Sequence, residues 1–256
     1  MNTLITFRIE DHVARLALNS PPLNIINIAM MAEMTQALQT LEDRPTVRVL
    51  VIEAAGDSKA FSAGVDVADH TADKVEDMIY GFHRIFRLLA RLDLPTLAIV
   101  NGAALGGGCE LAIFCDMILA SERAKFGQPE IKVGVFPPIA AIMLPRLIPR
   151  QAAMELLLTG KTVGAADAYR LGLVNRVVPP EQLASAADDL ISDLARLSGR
   201  ILRHTRRAAL LGSSGPFDQA LTAVENLYLQ EMMQAHDAHE GLAAFMEKRQ
   251  PVWRDE

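Results

Sequence analysis

Only two cysteines, Cys109 and Cys115, occur in the 256 residues, and no CxxC pair is present. That excludes a disulfide framework and a cysteine-based zinc site. Both thiols read as small core residues in a reducing compartment. Positive charge is also in short supply: 25 Lys and Arg stand against 31 Asp and Glu, a formal net charge of -6. Nucleic acid needs clustered cations on its phosphates, so it is not an expected partner. The one basic cluster, Arg200, Arg203, His204, Arg206 and Arg207, reads as a solvated helix face. No apolar run approaches the ~20 residues that cross a bilayer. The opening residues, MNTLITFRIEDHVARLALN, have no basic start leading into a continuous apolar stretch. No membrane partner and a cytoplasmic location are therefore expected. Long Gly/Ser linkers, low-complexity tracts and 20–50-residue repeats are missing as well.

What is present is a globular composition, 50% hydrophobic and 22% charged, with enough apolar surface for a sizeable core. The first half alternates strand and helix signals. Leu4 to Ile9, Val13 to Leu18, Val47 to Ile52, Thr96 to Val100 and Met117 to Ala120 read as strands. Ile28 to Leu41, Asp73 to Leu92 and Gly106 to Cys115 read as helices. Pro129 to Pro138 is irregular. Helical segments follow at Ala140 to Ile148, Ala152 to Thr159, Ala165 to Leu171, Glu181 to Leu197, Gly199 to Leu211 and Phe217 to Glu247. The division expected is an α/β core over residues 1–195 and a helical region over 196–256.

Three segments carry candidate chemistry. In KAFSAGVDVADH, Lys59 to His70, Gly64 lets backbone approach a ligand or turn sharply. In NGAALGGGCELAIFCD, Asn101 to Asp116, three glycines open an apolar helix. Its first N–H groups point outward at a positive dipole end, suited to an oxyanion, with Glu110 close by. In AKFGQPEIKVGVFPP, Ala124 to Pro138, Glu130 follows a proline among apolar residues. Desolvation there would raise its pKa toward the range useful for proton transfer. Taken singly, each segment also reads as an ordinary loop, a packed helix start or a surface glutamate.

Together these strings, with LTGKTVGAADAYRLGLVNRVVP (Leu158 to Pro179) and AFMEKRQPVW (Ala244 to Trp253), resemble the enoyl-CoA hydratase/isomerase (crotonase) family over nearly the whole chain. The resemblance implies a crotonase-like ββα superhelix with a helical C-terminal trimerisation region. It implies an oxyanion hole from the backbone of Val65 and Gly107, and catalytic glutamates at Glu110 and Glu130. It implies contacts to coenzyme A from Lys59, Ala63 and Asp66, and from Phe245 and Lys248, often across a subunit boundary. Homotrimers or paired trimers are then expected. Coenzyme A enters as part of an acyl-CoA substrate. No separate cofactor is implied, no metal, and the glycines do not spell the GxGxxG dinucleotide fingerprint. His70, His83, His236 and His239 match no catalytic position and read as surface or helix-face residues.

The chain departs from the family pattern after Glu130. Pro137 to Leu144 replaces a Gly-rich stretch that borders the acyl pocket. Pro138 there offers no N–H, and Ala141 and Ile142 bring apolar bulk. The string PEIKVGVFPPIAA is similar to the branch that hydrates cyclohexa-1,5-diene-1-carbonyl-CoA, which points to a compact, conjugated acyl group. Two other readings stand beside hydration. One is an isomerase or acyl-CoA hydrolase on the same oxyanion hole; the other is a non-catalytic RNA-binding or scaffold protein, since a fold does not fix a function.

Overall fold

The computed structural model describes residues 3–56, 58–213 and 215–256. It opens with an antiparallel hairpin, β1 (Ile5–Glu10) and β2 (Val13–Leu18), then β3 (Ile25–Ile26) and helix α1 (Ile28–Gln39). Three strand–strand–helix turns follow. The first is β4 (Val49–Ala54), β5 (Ala60–Ser62), its short continuation β6 (Gly64–Val65), and α2 (Val75–Arg91). The second is β7 (Thr96–Val100), β8 (Ala103–Leu105) and α3 (Gly107–Phe114). The third is β9 (Met117–Ser121), β10 (Lys125–Gly127), a 3-10 turn at Pro129–Val133, and α4 (Pro138–Leu147). The chain then runs through α5 (Arg150–Thr159), β11 (Thr162–Gly164), α6 (Ala165–Arg170), β12 (Arg176–Val178) and α7 (Leu183–Ala195). It finishes with α8 (Gly199–Gly212), α9 (Phe217–Asn226) and α10 (His236–Glu247).

In each turn the first strand joins a six-stranded sheet, order β1-β2-β4-β7-β9-β12, and the second joins a four-stranded sheet, order β11-β10-β8-β5. Strands β3 and β6 pair in parallel beside them. The result is a ββα superhelix. Strands β4 and β7 lie at the centre of the larger sheet and alternate faces. Leu50, Ile52, Ala98 and Val100 pack toward α1, α2 and α3. Val49, Val51, Leu97 and Ile99 pack under Leu183, Ala186, Ala187 and Ile191 of α7. Burial on both faces is why these strands read as unbroken apolar runs. Helix α1 starts where the Asn27 side chain accepts the Met30 N–H at 2.9 Å.

The structure revises two expectations. The run from Phe217 to Glu247 is not one helix. Helix α9 passes into a π turn at Leu227–Glu231 and a 3-10 turn at Met232–Gln234, and extended Ala235 (φ -75°, ψ 137°) separates these from α10. No proline or glycine marks that break, so the helical pattern runs through it. The basic cluster is also not simply a solvated face. Arg203 donates to the Leu92 carbonyl at 2.6 Å, the end of α2, and to the Val47 carbonyl at 3.1 Å. Arg206 holds Asp116 at 2.8 Å and Arg207 holds Glu231 at 2.7 Å. Helix ends leave carbonyls without intrahelical donors, and Arg203 supplies one.

The C-terminal helices are tied to the sheet by a buried ion pair. Arg48, 8% exposed, meets Asp255, 7% exposed, at 3.0 Å, and also donates to the Ala195 carbonyl at 2.6 Å. Asp255 accepts the Gly199 N–H at 2.7 Å as well. Among the described residues no helix is long and apolar enough to cross a membrane. Removing one member of a buried pair leaves its partner unpaired, so Asp255→Ala should lower unfolding stability by about 3 kcal/mol in urea titrations. Replacing both, as Arg48→Met with Asp255→Leu, should cost much less. Equal losses in the two variants would show that packing, not the stranded charge, sets the cost.

Candidate active site

Helix α3 begins against the preceding superhelix turn with almost no space between the backbones. A Cβ on Gly64 would lie 2.9 Å from the Leu105 oxygen and 3.4 Å from the Gly107 nitrogen, and Gly64 has φ +109°. A Cβ on Gly108 would lie 2.5 Å from the Ser62 carbonyl oxygen. Only glycine permits both contacts. Gly107 is the first residue of α3, so its N–H has no partner within the helix. Asp66 donates its N–H to the Ile26 carbonyl at 3.0 Å. Strand alternation therefore turns the Val65 N–H away from β3. Both Val65 and Gly107 line one cavity of about 530 Å³. Two fixed N–H groups on such a wall can stabilise an oxygen that gains charge.

Two glutamates line the same cavity. Glu110, in the first turn of α3, is 3% exposed. Its Oε1 accepts the N–H groups of Ile139 at 2.8 Å and Ala140 at 2.9 Å. These are the open N–H groups at the start of α4, which has no side-chain cap of its own. Pro138 occupies the first helical position, where a missing N–H costs nothing. The proline that removes a donor from this loop therefore leaves the next two amides to hold the carboxylate. Burial, moderated by those amides and reinforced by the charge of Glu130, pushes the Glu110 pKa up to about 7. Glu130 belongs to the 3-10 turn after β10. Burial raises its pKa too, against the pull of its own backbone N–H and of His70. Its Oε1 would lie 2.7 Å from a Cβ on Gly106 (φ +52°), so glycine also makes room for the carboxylate. The buried Gln128 amide, with its nitrogen turned toward Glu130, donates to both carboxylate oxygens at 3.2 and 3.3 Å. Burial pushes the neighbouring Cys109 thiol up to about 12, too high for a thiolate nucleophile.

Of the residues singled out from the sequence, Ala63, Val65, Gly107, Glu110, Glu130 and Pro138 meet at this cavity. Others lie elsewhere on the chain. Asp66 caps the following 3-10 turn by accepting the Ala68 N–H at 2.9 Å. Lys59 is exposed outside the cavity, and Ala141 and Ile142 lie on the exposed side of α4. Phe245 is 85% exposed, and Lys248 ends α10 in a left-handed conformation. Three polar residues escape the sequence reading, two on the cavity wall and one, Gln128, buried behind Glu130. Gln128 had a signal, its place two residues before Glu130. His70 and His83 line the wall, although they read as surface or helix-face residues. The His70 ring nitrogen Nδ1 is 3.0 Å from the Asp66 carbonyl oxygen. Among the described residues no group of three His, Cys, Asp or Glu side chains could hold a metal ion.

A profile of the enoyl-CoA hydratase/isomerase family matches residues 8–256. The chain belongs to that family. It is 39% identical to a cyclohexa-1,5-dienecarbonyl-CoA hydratase of Thauera aromatica, over 96% of this chain and 94% of that one. It is 36% identical to a crotonyl-CoA hydratase of Syntrophomonas wolfei, over 94% of each chain. Its fold matches the crystal structure of an enoyl-CoA hydratase from Bacillus anthracis with a TM-score of 0.93 and 30% identity, covering 99% of this chain and 100% of that one. The ββα superhelix is thus the crotonase fold, with its helical C-terminal region.

Within this crotonase-fold site, the burial of Glu110 has a measurable consequence. Folding raises its pKa from 4.5 to about 7. Between those values the folded chain holds a proton that the unfolded chain has released, so stability falls as pH rises through this window. Glu110→Gln keeps an oxygen for both α4 amides and cannot ionise. It should gain on the wild type by about 3 kcal/mol between pH 4 and pH 8 in urea unfolding. Parallel stability curves for the two proteins would show that ionising Glu110 carries no burial cost.

Proposed function

We propose that the chain is an enoyl-CoA hydratase, a hydro-lyase that adds water across a conjugated acyl-CoA double bond. The observation that carries the reading is the pair Glu110 and Glu130, both raised by burial, in one cavity with the amides of Val65 and Gly107. The thioester oxygen accepts from the two backbone N–H groups. One ionised glutamate takes a proton from a water held between the carboxyls. The resulting hydroxide bonds to the β-carbon, and the electrons of the double bond shift to the thioester oxygen. The enolate collapses as the other glutamate, protonated from the start, gives its proton to the α-carbon. Proton exchange between the carboxyls resets the pair, which titrates as a unit rather than as two separate acids. Preorganised donors matter because charge grows on that oxygen during the step; one such donor is worth ~2.7–4 kcal/mol.

The substrate in this reading is a compact, cyclic dienoyl-CoA. It rests on Pro137 and Pro138 and on exposed Phe136 and Val135 at the cavity, and on the Thauera aromatica relative. The coenzyme A portion would run along Ala63, Lys59 and Asp66. Phe245 and Lys248 would meet it from a neighbouring subunit of a homotrimer or paired trimers. Support for assembly comes from large apolar side chains left uncovered on the C-terminal helices and tail, Phe217, Leu242, Phe245, Met246 and Val252.

Ultraviolet absorbance and product mass with cyclohexa-1,5-diene-1-carbonyl-CoA and with crotonyl-CoA test the reading. Loss of conjugation with gain of water from the cyclic diene is expected, with turnover of crotonyl-CoA much slower. Faster turnover of crotonyl-CoA would overturn the cyclic assignment, and water addition to neither would overturn hydration. Glu110→Gln and Glu130→Gln should each lower kcat at least a hundredfold, about 2.7 kcal/mol of barrier. The pH profile of kcat/KM should show a limb near 7 that Glu110→Gln removes.

A further inference from the structure

Val65 and Gly107 reach the cavity from different segments, β6 and the start of α3. Two such N–H groups act on one oxygen only if both are aimed at it, because a hydrogen bond weakens steeply as its angle falls below about 120°. The glycine contacts set how near the two segments come. Glycine is also the residue freest to rotate, so closeness alone does not fix the aim.

Ser62, the last residue of β5, touches both segments. It is fully buried. Its Oγ accepts the Gly64 N–H at 3.1 Å, in the peptide just before the Val65 amide. The same hydroxyl donates to the Asn24 carbonyl at 2.7 Å. Ser62 Cβ and Oγ would lie 2.6 and 2.8 Å from a Cβ on Gly108, so the serine fills the space beside the first turn of α3. Asn24 is a firm base for these bonds. It is fully buried, at φ +50°. Its side-chain nitrogen donates to the Ala60 and Phe61 carbonyls at 3.2 and 3.1 Å, and its side-chain oxygen accepts the Ser20 N–H at 2.9 Å. On the far side of Val65, the Asp66 N–H is held by the Ile26 carbonyl at 3.0 Å. Hydrogen bonds in a row polarise one another inside a protein, so the hydroxyl strengthens the chain it links.

We propose that Ser62 is a positioning residue for the reaction. Its hydroxyl, anchored on Asn24, sets the aim of the Val65 N–H relative to that of Gly107, and so how strongly the thioester oxygen is held as charge grows on it. This rests on the reading that those two amides receive the thioester oxygen of an acyl-CoA, and adds the group that aligns them.

The test pairs kinetics with infrared spectra of bound cyclohexanecarbonyl-CoA, a saturated thioester that cannot be hydrated, labelled with carbon-13 at its carbonyl. Hydrogen bonds to that carbonyl lower its stretching frequency, so the band reports the aim of the donors directly. Ser62→Ala should lower kcat about tenfold with KM changed less than about twofold, since the lost alignment matters most in the transition state. Its bound carbonyl band should lie closer to that of free thioester than the wild-type band does. Ser62→Cys, which keeps a weak donor, should fall between the two in both readouts. If Ser62→Ala does not fold, the band of Ser62→Cys decides alone. A wild-type band position in the variants overturns the proposal, whatever happens to their thermal stability, because Ser62 then serves the fold only. If the wild type binds the thioester without moving its band, the oxyanion reading fails and the role of Ser62 with it. If the wild type binds no thioester, the acyl-CoA reading fails first.

Discussion

Everything at the cavity depends on two stretches of backbone that touch without side chains between them. Gly64 lies against Leu105 and Gly107, and Gly108 lies against Ser62. These contacts join consecutive turns of the superhelix, so the spacing of the turns and the aim of the amide groups are set by one steric condition. A methyl group on Gly108 would push on backbone, which cannot swing aside as a side-chain tip can. The rest of the site is hung from this junction. Glu110 rides one turn into the helix that starts there, and Glu130 closes over Gly106.

A second constraint is electrostatic. Two carboxyls near one another and away from water disfavour a second negative charge. The fold answers this unevenly. Glu110 takes two backbone N–H groups from the start of α4, whereas Glu130 is faced by the Gln128 amide and has His70 on the cavity wall. Such differences between neighbouring acids let one retain a proton while the other gives it up. The same arrangement works against stability, because the ionised Glu110 is enclosed by protein.

Much of the architecture was legible in the sequence, for a physical reason. Val13–Leu18 and Thr96–Val100 are long enough, and buried on enough sides, to print a clear pattern. Strands β5, β8, β10 and β11 have three residues each, too few for alternation to show, so the second sheet was invisible. The break at Ala235 was invisible because no glycine or proline announces it. Glu110, Glu130, Val65 and Gly107 were found through motif strings, and their convergence is a property of the superhelix. Basic residues on α8 looked solvated because their partners, the Leu92 carbonyl and Asp116, are distant in sequence. His83 gave no warning: its place on an apolar cavity wall needs the packing of α2 against α3.

The stretch from Phe136 to Ala140, where the chain enters α4, separates two kinds of information. Its backbone amides clamp Glu110, while side chains of the same stretch, Phe136 to Pro138, face the cavity. Substitutions there can reshape the space for the acyl group without touching the groups that tune the acid. A lineage could therefore drift from one substrate to another through this stretch while its proton chemistry stayed fixed, provided the helix kept starting at the same residue.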